Sequence, residues 1–321
     1  MKYIIFIILI SILLGGCKSP KDPSVSFPVS VELQFDSIII PPRLLSVTRL
    51  FIAHDMLIAY EQRKDTLFSF WKLPKCQYLF SAGIKGQGPD DFLMLDKVFV
   101  ETDNGFKTFE LASNKVKEIE IDSIGEFKLL AEQRLNINKM PLNRFTFLSD
   151  DSYCFLSDDD NYEYTLLDKE YHVRSFSHYP QLLYKEKDEN NSYLYNKLLV
   201  SKPDGERFAA FYTYIKMLRI YDKSGDMLKE VLMDEPVEVV DNGKRTVCYS
   251  TYPSATNQCI YVLNNESEFQ KYLEVWSWDG DPITRYSLDK KINAFVVSEK
   301  YSTIYAINRD IDNVIYLCKI K

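Results

Sequence analysis

Histidine, glycine and cysteine are all scarce in this 321-residue chain, and each shortage removes a class of chemistry. The three histidines, His54, His172 and His178, include no pair at helical i, i+4 spacing and no His-Glu-x-x-His run, so no metal centre is expected. The eleven glycines form neither Gly-x-x-x-x-Gly-Lys-Ser/Thr nor Gly-x-Gly-x-x-Gly, and no Gly-x-Ser-x-Gly elbow occurs. A phosphate cradle, a dinucleotide site and the common serine-hydrolase arrangement all lose their local signal, and no cofactor is expected. The six cysteines show no Cys-x-x-Cys spacing. Those beyond residue 17 sit in or beside apolar runs and read as buried free thiols; Cys248 and Cys259, which flank a hairpin candidate, are the one pair placed to bridge. Base is not in excess either. There are 39 Lys and Arg against 46 Asp and Glu, interspersed as in Lys185-Glu186-Lys187-Asp188-Glu189, which argues against nucleic acid as a partner.

What is present begins with a leader. Lys2 precedes an apolar run from Tyr3 to Leu14, which ends at Leu14-Gly15-Gly16-Cys17. That run is too short for a bilayer-spanning helix, which needs about twenty apolar residues, and its charged start and small-residue end read as an export signal over 1–16. The Leu-Gly-Gly-Cys ending resembles the bacterial lipobox. The resemblance implies cleavage before Cys17, acylation of that cysteine, and attachment to a lipid bilayer. Residues 17–28, polar and carrying Pro20, Pro23 and Pro28, read as an extended tether, and 29–321 as one folded domain.

The folded part is a succession of short alternating runs. Tyr272–Trp278, Ile283–Leu288, Ile292–Ser298, Thr303–Ile307 and Val314–Ile320 are rich in β-branched and aromatic residues, and Asp, Gly, Asn and Ser break them. Inner strands placed by their apolar runs start near Arg49, Asp96, Arg144, Lys197, Val247 and Ile292, a spacing of 45 to 53 residues. About four strands per unit at this period predicts an all-β, six-bladed β-propeller with four-stranded blades. The last unit has only three strands before the chain stops. Val29–Phe35 has no unit of its own, so the N-terminal strand is expected to join the C-terminal blade and close the ring. The 22 Tyr and 20 Phe suit blades that bury both faces against their neighbours.

Between the first and second units lies Gly83-Ile84-Lys85-Gly86-Gln87-Gly88-Pro89-Asp90-Asp91-Phe92. Pro89, with no amide N–H, stands where a phosphate-binding helix would need a donor, so the stretch reads as a tight connection with Phe92 plugging the gap between two blades. Gly86, Gly88, Pro89 and Phe92 match a Gly-x-Gly-Pro-x-Glu-Phe stretch, with Asp91 in place of Glu. Here the sequence resembles the TolB-like six-bladed β-propeller lipoproteins of Gram-negative gut bacteria. The resemblance implies fold and envelope location; members of that family are largely of unassigned function, so it carries over no catalytic residue.

Two sets of residues rise above this background. Aligning inner strands on Phe51, Phe99, Phe145 and Phe295 brings Arg49, Lys97, Asn143 and Asn293 to one equivalent position, a polar and partly cationic channel mouth suited to an anionic or carbohydrate ligand. The long connection from Tyr179 to Asn196 carries Tyr179, Tyr184, Tyr193 and Tyr195, which are placed to grip a sugar or protein. The acidic run Asp158-Asp159-Asp160 lacks the glycine and distal Glu of an EF-hand and reads as a solvated turn. The expected protein is a monomeric envelope lipoprotein, lipid-anchored to the outer membrane and facing the periplasm. Its propeller is a non-enzymatic binding or scaffold module for an envelope protein or a glycan. The alternative is a carbohydrate-active hydrolase or lyase using carboxylates around the channel, which no local motif would reveal. The repeated Ser-x-Asp-x-Gly-x-Thr-Trp boxes of sialidase propellers are absent.

Overall fold

The computed structural model of the chain describes residues 25–41, 44–121, 126–137, 144–157, 159–233, 240–241, 244–265 and 271–320. The leader and Cys17 lie outside the described residues. Six blade sheets, each built from consecutive antiparallel strands, follow one another along the chain, and a separate two-stranded hairpin, Val240–Asp241 with Lys244–Arg245, lies between blades four and five in sequence. Blade one comprises Arg49–Ala53, Met56–Tyr60, Thr66–Lys72 and Gln77–Ile84, and blade two Leu95–Glu101, Gly105–Glu110, Lys115–Ile121 and Phe127–Arg134. Blade three comprises Thr146–Phe147, Tyr153–Leu156, Tyr162–Leu167 and Val173–His178, and blade four Lys197–Ser201, Arg207–Tyr212, Met217–Asp222 and Met227–Leu232. Blade five comprises Ser254–Ala255, Cys259–Asn265, Lys271–Ser277 and Pro282–Leu288; blade six supplies Ala294–Ser298, Thr303–Ile307 and Val314–Lys319 from the C-terminal part of the chain. The chain is an all-β six-bladed propeller. Its one described helix is a single turn, Asn191–Leu194, capped by the Asn190 side chain, which accepts the Tyr193 N–H at 2.8 Å.

The alternation of side chains along each strand explains why the sheets form a ring. In blade one, Leu50, Leu57, Ala59 and Trp71 pack against Ala294, Val296 and Tyr305 of blade six, while their immediate neighbours Phe51, Ile58 and Phe70 pack, with Phe68, against Leu95, Phe106 and Ile119 of blade two. Period-two alternation therefore sends consecutive residues to opposite seams, and both faces of each blade are apolar. Among the described residues the core consists of six such clusters, one per seam. Large rings fill the wedges: Phe51 stacks on Phe99 at 4.3 Å across the first seam, and Phe145 on Phe109 at 4.0 Å across the second.

The N-terminal segment straps two blades rather than one. Asp36–Ile39 pairs antiparallel with Val314–Lys319 as the outer strand of blade six. Ser30–Leu33, inside the stretch expected to play that part, runs parallel to Pro282–Leu288 as a fifth strand on blade five. Just before it, Phe27 packs edge-on to Trp276 at 4.9 Å. The physical reason for the difference is the break at Gln34-Phe35. Phe35 N–H donates to the Asp289 carboxylate at 3.1 Å, which turns the chain from one blade to the next.

The glycine stretch is structural in the way its residues suggest. Gly83 has φ +79°, and a Cβ there would lie 2.6 Å from the Phe68 ring; a Cβ on Gly86 or Gly88 would meet the Asp91 carboxylate. Asp91 in turn accepts the Gly88 N–H at 2.8 Å, and Phe92 is fully buried in the seam between blades one and two. Lys117 closes the connection from below, donating to Asp91 O at 2.6 Å with its ammonium 4.8 Å from the Phe92 ring centroid. All five cysteines beyond the leader, Cys76, Cys154, Cys248, Cys259 and Cys318, are free thiols.

Candidate functional site

The first strands of the six blades face one another around the axis, and between them lies a cavity of about 820 Å³ to which every blade contributes lining residues. These strands run in the same direction, so one end of the channel is built from strand starts and the other from the turns that follow. The two ends carry opposite charge. At the strand starts are Arg49, Lys97 and Arg144 with a single carboxylate, Asp96; at the turns are Asp55, Glu101, Asp103 and Glu299 with a single lysine, Lys300. Glu101, Asp103, Asn257, Glu299 and Lys300 are exposed, so the acidic end is the mouth, and the half-buried cations form the deep end.

The deep end is organised by Tyr252. Its ring centroid lies 5.0 Å from the Arg49 guanidinium carbon, 5.1 Å from that of Arg144 and 5.7 Å from the Lys97 ammonium. The hydrogen-bond acceptors around these cations are neutral. Arg49 Nη2 donates to Pro253 O at 2.9 Å, Arg144 Nε to Lys197 O at 2.7 Å, and Arg144 Nη1 to the Tyr252 hydroxyl. Arg49 Nε and Nη1 are buried with no partner among the described residues. Asp96 is occupied by the backbone instead: it accepts the N–H groups of Lys97 at 2.5 Å, Arg144 at 3.0 Å and Phe145 at 2.9 Å. Three cations are thus held together against one carboxylate already committed to three donors. Burial pushes the Arg49 guanidinium down to about 10 and lowers the Lys97 ammonium too, the latter helped by Arg144; burial also raises the Asp96 carboxyl.

At the mouth the carboxylates are partly engaged. Asp55 meets Lys300 at 2.5 Å, which holds its carboxyl below the usual range, and Glu101 accepts the His54 N–H at 2.7 Å. His54 Nε2 lies 2.8 Å from Thr102 O. Ser201 and Ser298, the last residues of their inner strands, and Ser254 and Thr256 of blade five also line the channel; the Ser254 hydroxyl accepts the Val297 N–H at 3.0 Å and that of Ser298 the Tyr301 N–H at 3.3 Å.

The residues singled out in the sequence divide accordingly. Arg49 and Lys97 line the channel together. Asn143 lies outside the described residues, and blade three contributes its neighbour Arg144. Asn293 is not part of the lining; its side chain accepts the Arg309 N–H at 3.0 Å. Tyr252 carried no signal, because the inner strand of unit five was expected from Val247 and is only Ser254–Ala255. Of the loop tyrosines, Tyr184 and Tyr193 are 70% and 58% exposed. Tyr179 and Tyr195 are buried in the seam of blades three and four, where the Tyr195 hydroxyl accepts the Leu182 and Leu183 N–H groups at 3.0 Å. Asp160 pins the same loop, pairing with Lys185 at 2.7 Å and accepting the Asn191 N–H at 2.6 Å. Asp168, Glu170 and His172 gather on the blade-three outer hairpin, where Asp168 already binds the His172 ring and N–H.

Ring and channel together define a six-bladed β-propeller with a polar axial cavity. The chain belongs to the TolB-like 6-blade propeller-like family, whose model matches residues 48–300. No curated protein sequence matches it significantly. Among solved structures it is similar to a putative exported protein from Bacteroides fragilis (TM-score 0.58, 10% identity, 91% of this chain and 99% of that one). It is also similar to a member of the DUF4221 family from Bacteroides vulgatus (TM-score 0.56, 10% identity, 90% and 99%). A third likeness is to Chaetomium thermophilum Raptor (TM-score 0.53, 11% identity), where 90% of this chain covers 29% of that one. At such identities the likeness is one of fold. Among the described residues no helix is long and apolar enough to cross a membrane.

Proposed function

We propose that the chain is a cell-envelope lipoprotein, anchored through acylated Cys17 and facing the periplasm, whose propeller is a non-enzymatic binding module for a protein or carbohydrate ligand. The observation that carries this reading is the cationic deep end of the channel. Buried charge is costly unless paired, and a folded ring keeps Arg49, Lys97 and Arg144 around one committed carboxylate where a ligand can supply the missing charge. The hydrolase alternative finds less support. The channel's carboxylates cluster at the exposed mouth, with Asp55 committed to Lys300, whereas the enclosed end is cationic. The likeness to the putative exported protein from Bacteroides fragilis supports an envelope location, and the leader supports the lipid anchor.

A thermal-shift screen of the full chain in detergent, against glycans, peptides and divalent cations, tests the binding reading. A ligand that binds only the folded state at a hundred times its Kd stabilises by about 2.7 kcal/mol, a readily measured rise in melting temperature. No shift with any probe, together with no protein captured from envelope extract, would refute it. Anchoring is tested separately: Cys17→Ser should abolish metabolic labelling with palmitate and release the protein from the membrane fraction.

A further inference from the structure

The channel is polarised, and its polarity specifies more than an anion. The inner strand of blade one and its turn take the wall from Arg49 to Asp55, and those of blade two from Lys97 to Asp103. At about 3.3 Å per residue the deep cations and the mouth carboxylates stand about 15–20 Å apart. A cavity of about 820 Å³ over that length has a mean cross-section of about 50 Å², which admits an extended chain and not a folded domain. A ligand bearing negative charge throughout would be drawn to Arg49, Lys97 and Arg144 but repelled at Asp55, Glu101, Asp103 and Glu299. A neutral glycan would leave both ends unanswered. The charge pattern is complemented by a linear zwitterion.

Building on the binding reading above, we propose that the channel receives an oligopeptide of about five residues, C-terminus first, with its terminal carboxylate among Arg49, Lys97 and Arg144 and its ammonium end at the acidic mouth. Five extended residues span the 15–20 Å between the charged ends. Ser254, Thr256 and Ser298 of the wall already bond the protein's own backbone, Ser254 accepting the Val297 N–H at 3.0 Å and Ser298 the Tyr301 N–H at 3.3 Å, so recognition is concentrated at the two charged ends, and selectivity for length and free termini is expected to exceed selectivity for sequence.

The test is calorimetric titration of the full chain in detergent with a mixed alanine–serine pentapeptide in four forms: free termini, C-terminal amide, N-terminal acetyl, and both ends blocked. The free peptide should bind. Amidation should weaken it at least tenfold, since a charge-assisted bond is lost in a poorly solvated site. Acetylation should weaken it by a smaller factor, and raised salt should narrow both differences. Lys97→Gln should narrow the gap between acid and amide without closing it, since Arg49 and Arg144 remain, while Arg49→Lys, which keeps the charge, should retain most of the discrimination; cooperative thermal unfolding shows that both variants fold. Equal affinity for acid and amide, or no binding of any form at about 1 mM, overturns the proposal. In either case a glycan that still shifts the melting temperature, or a protein captured from envelope extract, leaves the binding reading standing, so the two failures are distinguishable.

Discussion

Glu163 is the buried charge on which the seam between blades three and four turns, and replacing it tests how the ring is held. Its side chain is fully buried and accepts from five donors: Lys197 Nζ, Arg219 Nη1, the Tyr212 hydroxyl at 2.6 Å, the Ser177 hydroxyl at 3.1 Å and, weakly, the Tyr221 hydroxyl at 3.5 Å. Arg219 keeps a second partner in Glu230 at 2.6 Å, but Lys197 is 1% exposed and sits among the rings of Tyr164, Tyr179 and Tyr212 at 4.7–5.0 Å. In Glu163→Gln the Lys197 ammonium and the Arg219 guanidinium both lose this carboxylate while remaining buried, which should cost about 3–5 kcal/mol at pH 7, of which Lys197 accounts for at most about 1.4 kcal/mol because it can shed its proton instead. The pH dependence gives a sharper check. Even with Glu163 in place, burial brings Lys197 down to about 8, below its unfolded value. Between that pH and about 10 the unfolded chain binds more protons than the folded one, so this group makes stability rise with pH. Above about 10 the buried tyrosines reverse the trend: burial holds Tyr164, Tyr212 and Tyr221 well above their ordinary value, so their ionisation favours the unfolded chain. In the variant Lys197 sheds its proton at lower pH still, so the deficit relative to wild type should shrink between pH 7 and pH 9. Urea unfolding at the two pH values measures it. A deficit below about 1 kcal/mol at pH 7, or one that grows with pH, would refute the reasoning.

Three further outcomes follow from the same packing. Phe92→Ala empties a fully buried seam position and removes the ring under Lys117, so urea unfolding should report a loss of about 3–5 kcal/mol. Gly83→Ala places a Cβ 2.6 Å from the Phe68 ring at φ +79° and should destabilise by about 1–3 kcal/mol, whereas an alanine at an exposed strand position such as Lys128 should be nearly neutral. Burial pushes the Cys76 thiol up to about 12 and raises Cys154, Cys259 and Cys318 as well; with Cys248 also buried, Ellman's reagent at pH 8 should find at most one reactive thiol, Cys259, before unfolding and all five after it.

The architecture is far easier to read in the sequence than the site, and the reasons are physical. Blade count follows from period-two alternation repeated every 45 to 53 residues, a signal spread over the whole chain that survives errors at any one strand. Phe92 is legible because the glycines and Pro89 before it permit little else. The site depends on single residues at strand starts, where the pattern is weakest. Arg144 has φ +87°, and this left-handed residue just before the strand shifts the register, so an alignment of inner strands selects Asn143 instead. Tyr252 enters from the irregular approach to a two-residue strand, which no alternation marks. Tyr179 and Tyr195 look like loop contacts because the connection around them is charged, yet their rings fill the seam beneath it. Glu163 has no signal in the sequence: an acidic residue between Tyr162 and Tyr164 in an alternating strand looks the same whether it faces water or a buried lysine on the next blade.

The most direct test of the central claim is the position of a bound ligand. A crystal structure of the chain with the first compound to raise its melting temperature should show that compound inside the ring, with an anionic group beside Arg49, Lys97 and Arg144 and its other end towards Asp55 and Glu299. Density on the outer face of a blade or against Tyr184 and Tyr193, with the channel empty, would contradict the account.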